Sequence, residues 1–157
     1  MPVLETLGVA ACLGGPIPAC GDGAEMLREA WEHNESLQNL LQLHWQILHP
    51  DQDDSKENQL CKLNDSISSF TEYWVKQRKP FLVIGGDHSC ALGTWSGALN
   101  ALDSDKRLGL IWLDAHMDAH TFDSSPTGNI HGMPLSALLG KADGKLQHLL
   151  PTIKAIE

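Results

Sequence analysis

The sequence predicts an α/β fold, a mostly parallel doubly wound sheet with helices on both faces. Three observations carry that expectation. Residues 81–84 (FLVI) and 109–113 (GLIWL) are apolar runs of strand length, and each leads directly into ionisable residues. Continuous apolar runs suit strands covered on both faces. Between the two runs, residues 90–102 read as a returning helix, so the order is strand, helix, strand, which implies a right-handed crossover and parallel pairing.

The 157 residues suffice for one domain with a real core. A hydrophobic fraction of 42% against 20% charged residues, with five Trp, argues for a packed fold rather than disorder. A net charge of −9 argues against a nucleic-acid or anionic-membrane partner and favours approach of a small cationic substrate. No stretch approaches the roughly 18 apolar residues that a membrane span needs. Cys12, Cys20, Cys61 and Cys90 lack CxxC spacing and lie in apolar or helical contexts, which predicts reduced thiols in a cytoplasmic protein.

Taken in order, residues 6–13 (TLGVAACL) read as a first buried strand ended by Gly14-Gly15-Pro16. Asp22 can cap a helix over 24–31, where Leu27 and Trp31 stand four apart. A short second strand is expected over 44–48. His44 and His49 read as surface or packing histidines. The helix running from the 51–55 break to about Lys79 buries Leu60, Leu63, Ile67, Phe70 and Trp74 at three- and four-residue spacing. The strand over 81–84 ends at Gly85-Gly86, and a returning helix covers 90–102. After the strand at 109–113 come a loop over 121–129 and a helix over 133–139. Residues 140–144 break that helix, and 146–156 are too short to assign.

Asp114, His116 and Asp118 follow the 109–113 run at alternate positions. In extended chain, period two points all three the same way, at the carboxyl end of a strand, where open α/β sheets place their ligands. His88 stands just past the end of the other run. Three ionisable groups facing one way repel or desolvate one another unless something cationic lies between them. Carboxylates and imidazoles without thiolates favour a hard or borderline divalent metal, Mn(II) ahead of Fe, Co, Ni or Zn. Asp114 and Asp118 can donate to two ions at once, and two-metal sites generate a bridging hydroxide at neutral pH. That chemistry belongs to a hydrolase.

Three stretches, in this order, resemble the ureohydrolases: Gly85-Gly86-Asp87-His88-Ser89, then Asp114-Ala115-His116-Met117-Asp118, then Gly128-Asn129-Ile130-His131-Gly132-Met133-Pro134-Leu135. The first two are shared by arginases, agmatinases and formimidoylglutamases, whereas the third resembles arginase more than its relatives. A weaker resemblance covers residues 21–28 (GDGAEMLR).

The resemblance implies the three-layer arginase-like form of the fold and a binuclear manganese enzyme converting L-arginine and water to L-ornithine and urea. By motif position His88, Asp114, His116 and Asp118 would be metal ligands, with Asp118 also serving catalysis. His131 matches the family's proton shuttle. Ser125, Thr127 and Asn129 lie where the family binds the substrate, and His120 stands where arginases often carry asparagine. Trimers or hexamers are implied as well. The family carries a second aspartate motif, DxDxxDP, which this sequence lacks. The chain is therefore expected to be the amino-terminal part of a single arginase domain, truncated. Strands from the remainder would lie between those ending at His88 and Asp118; without them these groups either stand apart or collapse together, and the 109–113 run gains an exposed edge. The alternatives are another ureohydrolase, an agmatinase or formimidoylglutamase, or a catalytically inactive remnant.

Overall fold

The computed structural model describes residues 2–149, 155 and 156. Strand β1 (Val3–Val9) lies at the centre of a parallel sheet, flanked by β2 (Gln42–Leu48) and β3 (Phe81–Gly85) in the order β2-β1-β3. Thr6 stands opposite both Trp45 and Leu82. The first strand thus begins and ends earlier than expected. Pairing with β2 reaches back to Val3, and the Ala11 amide turns onto the Val9 carbonyl at 2.9 Å, which closes the strand before the glycines are reached.

Alternation along β1 sends successive side chains to opposite faces. Leu7 and Val9 are buried against helix α3 (Lys56–Lys76), whose Leu63, Ile67 and Trp74 complete the cluster. Ser55 caps α3 by accepting the Asn58 amide, and Trp74 stacks on Phe81 with ring centroids 5.7 Å apart. Gly8 faces the other way, toward α1 (Gly23–Glu32), where an added Cβ would come within 3.2 Å of the Ala24 Cβ. Helices therefore cover both faces, as a doubly wound sheet requires. A four-residue helix α2 (Glu35–Gln38) precedes β2. Both histidines are exposed, His44 pairing with the buried carboxylate of Glu5 and His49 with Glu25.

Helix α4 (Cys90–Asn100) packs on α3 at close range. Side chains at Gly93 and Gly97 would collide with α3 backbone at Asn64 and Ser68, and the Asn64 carboxamide accepts the Gly93 amide at 2.7 Å. Beyond the loop, α5 (Pro134–Leu138) and α6 (Gly144–Leu149) form a second cluster in which Met133, Ala137 and Leu146 meet Leu60 and Leu92. Residues 150–154 of the unassigned carboxyl-terminal stretch lie outside the described residues. Among the described residues no helix is long and apolar enough to cross a membrane.

Two expectations are corrected. Residues 109–113 form no strand; Ile111 is 85% exposed and Leu113 is 92% exposed. Leu108, Leu110 and Trp112 are half-buried while the residues between them are exposed, so the chain keeps the alternation of extended structure without a ladder. Its backbone has no neighbouring edge to pair with among the described residues. The thiols are not all reduced either, because Cys12 and Cys20 form a disulfide, leaving Cys61 and Cys90 free. A 3-10 turn at Pro18–Asp22 doubles the chain back and brings the two sulfurs together, a proximity that no spacing rule signals.

Candidate active site

The turn after β3 and the segment after residue 113 meet at one point. His88 Nδ1 lies 2.5 Å from Asp118 Oδ2 and 3.2 Å from Asp114 Oδ2, and one donor atom from each residue falls within 4.8 Å of the others. His88 is held from behind by Trp112, whose ring stacks on it at 4.5 Å. Asp118 is buried and adopts the left-handed region at φ 50°. Aspartate tolerates that region better than most residues. Asp114 and Asp118 both reach His88, but the chain bends at Ala115 and His116, so the expected uniform direction of Asp114, His116 and Asp118 does not hold. His116 stays outside the three-donor cluster, with a side chain 84% exposed and Nδ1 3.6 Å from Asp114 Oδ1.

The Asp114 carboxyl is held below its ordinary range, chiefly because it accepts the His116 amide at 2.9 Å, with His88 and His116 adding favourable charge and burial opposing. It is therefore a carboxylate at neutral pH. One imidazole and two carboxylates, with no thiolate, match the donor chemistry of a hard or borderline divalent cation.

Beside this cluster opens a cavity of about 680 Å³ lined by His116, Asp118, His120, Ser125, Thr127, Asn129 and His131. That volume falls in the range of small-molecule sites. Its loop is pinned at both ends: Leu135 donates to the Asp118 carbonyl at 2.9 Å, His120 donates to the Gly132 carbonyl at 3.1 Å, and Ser136 Oγ donates to the His120 carbonyl at 2.6 Å. Within it, Ser125 Oγ accepts the Gly128 amide and Thr127 Oγ1 accepts the Asn129 amide. His131 Nδ1 lies 2.9 Å from the Gly14 carbonyl. A carbonyl only accepts, so Nδ1 carries the hydrogen, and in the neutral imidazole the lone pair is on Nε2.

Compared with known proteins, residues 7–150 match the Arginase family. The chain belongs to the arginase family. The arginase of Bacillus caldovelox is 37% identical over 134 residues, which is 75% of this chain and 44% of that protein. The arginase of Entamoeba histolytica is 47% identical over 90 residues, 57% of this chain and 29% of the relative. Among solved structures, Bacillus subtilis arginase superposes with a TM-score of 0.79 at 31% identity, covering 98% of this chain and 53% of that one. The Entamoeba histolytica arginase, solved in complex with L-ornithine, gives a TM-score of 0.83 at 24% identity, a likeness of fold. This arginase-family chain spans about half the length of these structures.

Three residues of this candidate site have no role that the sequence alone assigns. Gly14 accepts from both His131 nitrogens that face it, the amide at 3.1 Å and Nδ1. Asp87 accepts the Gly14 amide at 2.9 Å and the Ser89 amide at 2.8 Å, tying the first loop to the turn that carries His88. Trp112 stacks on His88. Only Gly14 and Asp87 left a trace, in a Gly-Gly-Pro break and in the motif containing His88; Trp112 looked like strand interior.

Proposed function

We propose that this chain supplies one side of the active site of a manganese-dependent arginase, which hydrolyses L-arginine to L-ornithine and urea in the cytoplasm. The observation that carries the reading is that Asp118 belongs both to the donor cluster and to the cavity holding His131 and the four expected substrate contacts. His88, Asp114 and Asp118 would hold the metal, with His116 at its margin. Two manganese ions, when bound, would supply Lewis acidity and a deprotonated water for attack on a guanidinium carbon that is otherwise a poor electrophile.

The remaining roles belong to the chain itself. Asp118 and the partly buried carboxylate of Asp114 concentrate negative charge at one end of the cavity, which favours a guanidinium. The hydroxyls of Ser125 and Thr127 with Asn129 and His120 offer polar contacts for the α-carboxylate and α-amino groups. His131, fixed with its Nε2 lone pair free, can take up a proton and deliver it to the leaving amine. A trimer or hexamer is proposed for the complete enzyme.

A second reading, an inactive metal-binding remnant, is favoured by the exposed 109–113 run and by a donor set of three. Fusing residues 1–149 to the remainder of Bacillus subtilis arginase and measuring urea release with manganese separates the readings. Release from arginine but not agmatine is expected. Release from agmatine alone would move the chain to another ureohydrolase branch, and manganese binding without turnover would support the remnant.

A further inference from the structure

The disulfide and the candidate site share one short loop. Cys12 and Cys20 close it, Gly14 and Gly15 form its inner side, and residues 16–19 form its exposed rim. Gly15 packs against both partners: a Cβ built there would lie 3.1 Å from Cys12 Sγ, 3.5 Å from His131 Nδ1 and 3.6 Å from the Asp87 Cβ. At the far end of the loop, the Cys20 carbonyl crowds Gly86, where a Cβ would approach it to 2.7 Å. The sulfur bridge therefore packs on Gly15, the residue next to Gly14, and it is Gly14 whose carbonyl holds the imidazole of His131 and whose amide holds the carboxylate of Asp87.

We propose that the Cys12–Cys20 disulfide is a redox-sensitive positioning element, which keeps the Gly14 carbonyl where it fixes the His131 tautomer and the Gly14 amide where it anchors Asp87 beside His88. The proposal rests on the reading of His131 as the proton-transfer residue. With the bridge closed, the loop has few conformations and the Gly14 carbonyl is presented to Nδ1. Opening it restores to two adjacent glycines the conformational freedom that glycine has in excess. His131 would then lose the acceptor that selects its tautomer, without loss of the sheet, because the bridge lies outside β1, β2 and β3. Both cysteines are half-buried next to an exposed rim, which gives a small thiol access. In a reducing compartment, where persistent structural disulfides are rare and redox-sensing ones are the usual exception, such a bridge would report the thiol poise.

The reducing step uses a dithiol. Its thiolate attacks one protein sulfur, the protein S–S bond breaks to give a mixed disulfide and a cysteine thiolate that takes a proton, and the second dithiol sulfur displaces the other cysteine. Two cysteine thiols and one cyclic disulfide result, two electrons having passed to the protein.

The test labels the histidines of the full chain with ¹⁵N and reads ring tautomers by long-range ¹H–¹⁵N correlation at about pH 8.5, well above the ordinary histidine pKa. His131→Asn assigns the signal. Oxidised chain should show His131 as a single Nδ1–H tautomer; dithiothreitol should convert it to an averaged mixture, reoxidation should restore it, and Cys12→Ser should behave as reduced chain does. An unchanged His131 signal on reduction overturns the proposal. So does loss of amide protection throughout the sheet, since the bridge would then be a general staple. The tautomer readout stands apart from catalysis: if it responds while His131→Ala in the fused enzyme leaves turnover intact, the proton-transfer reading fails and the positioning device survives.

Discussion

Two apolar runs of similar length and composition bring the candidate ligands together, and they have opposite fates. Residues Phe81–Gly85 pair along β1 from Glu5 to Val9 and carry His88 on the turn that follows. Residues 109–113 carry Asp114 and Asp118 without joining any sheet, and present Ile111 and Leu113 to water. The difference lies in neighbours, not propensity. A strand is stable where another edge takes its amides and carbonyls and where its side chains are covered. β1 offers both to β3. Among the described residues nothing offers 109–113 an edge, and cover reaches only its alternate side chains, Leu110 and Trp112. Asp118 nevertheless reaches His88, because its placement derives from its own left-handed bend and from the amide of Leu135 on its carbonyl. One side of the site is thus set by a sheet and the other by a loop.

The largest effect expected from this contrast is in the core of the ordered side. Ile67, fully buried between α3 and β1, should cost about 2–5 kcal/mol when replaced by alanine, from lost transfer energy and the cavity left behind. Urea denaturation followed by circular dichroism measures it. A cost below about 1 kcal/mol would mean that the α3 face is no better packed than the exposed run.

This contrast also shows what the sequence could reveal. Fold class, the α1, α3 and α4 helices and the strands β2 and β3 were legible, because apolar periodicity and Gly or Pro breaks are local signals. The 109–113 run carries the same local signal of a strand. Its failure is non-local: the letters GLIWL describe what the segment would do beside an edge and cannot say whether one is there. In the site, the motif residues were legible and His88, Asp114 and Asp118 do meet. His116 departs from the expected direction, since alternation holds only while the backbone stays extended, and the chain already bends at Ala115 and His116. The Cys12–Cys20 bridge and the Gly14 carbonyl were not legible, because both depend on how the 3-10 turn at Pro18–Asp22 folds back.

A smaller effect tests the electrostatics of the sheet side. Glu5 is buried on β1, 2.6 Å from Lys79 Nζ and 3.0 Å from His44 Nδ1. Hydrogen bonding to Lys79 is the main reason its carboxyl is held below the ordinary glutamate range, and the same contact raises the Lys79 ammonium. A depressed carboxyl contributes stability above its unfolded pKa and loses it as pH falls through the folded value; a raised ammonium contributes below its unfolded pKa and loses it as pH rises through the folded value. The pair therefore stabilises between those limits. Lys79→Met should lower stability at neutral pH by a small amount, because solvent screens the half-exposed ammonium, and the loss should shrink below roughly pH 4. A penalty that stays constant with pH would show packing of the lysine stem rather than charge.

On the loop side the corresponding test is metal affinity. Asp118→Ala should weaken manganese binding by more than about tenfold, equivalent to about 1.4 kcal/mol, because it removes the buried donor nearest His88. His116→Ala should change it less, since that imidazole lies outside the cluster. Calorimetric titration of the two variants decides the order. Equal losses would mean that His116 swings inward when the ion binds, as the motif resemblance implies.

The smallest effect belongs to the run itself. Ile111 has the same side chain as Ile67 but keeps 85% of its exposure, so removing its methyl groups forfeits almost no buried area, and at about 25 cal/mol per Å² there is little stability to lose. Ile111→Ala should change unfolding stability by no more than about 0.5 kcal/mol, the usual range for surface positions. Leu113→Ala should behave alike, while Ile111→Lys should raise solubility by charging an exposed apolar edge. The measurement is urea denaturation at two protein concentrations. If Ile111→Ala proves as costly as Ile67→Ala and the cost grows with concentration, the run is covered in solution by a second copy of the chain, and the contrast with β3 is one between an internal and an intermolecular partner.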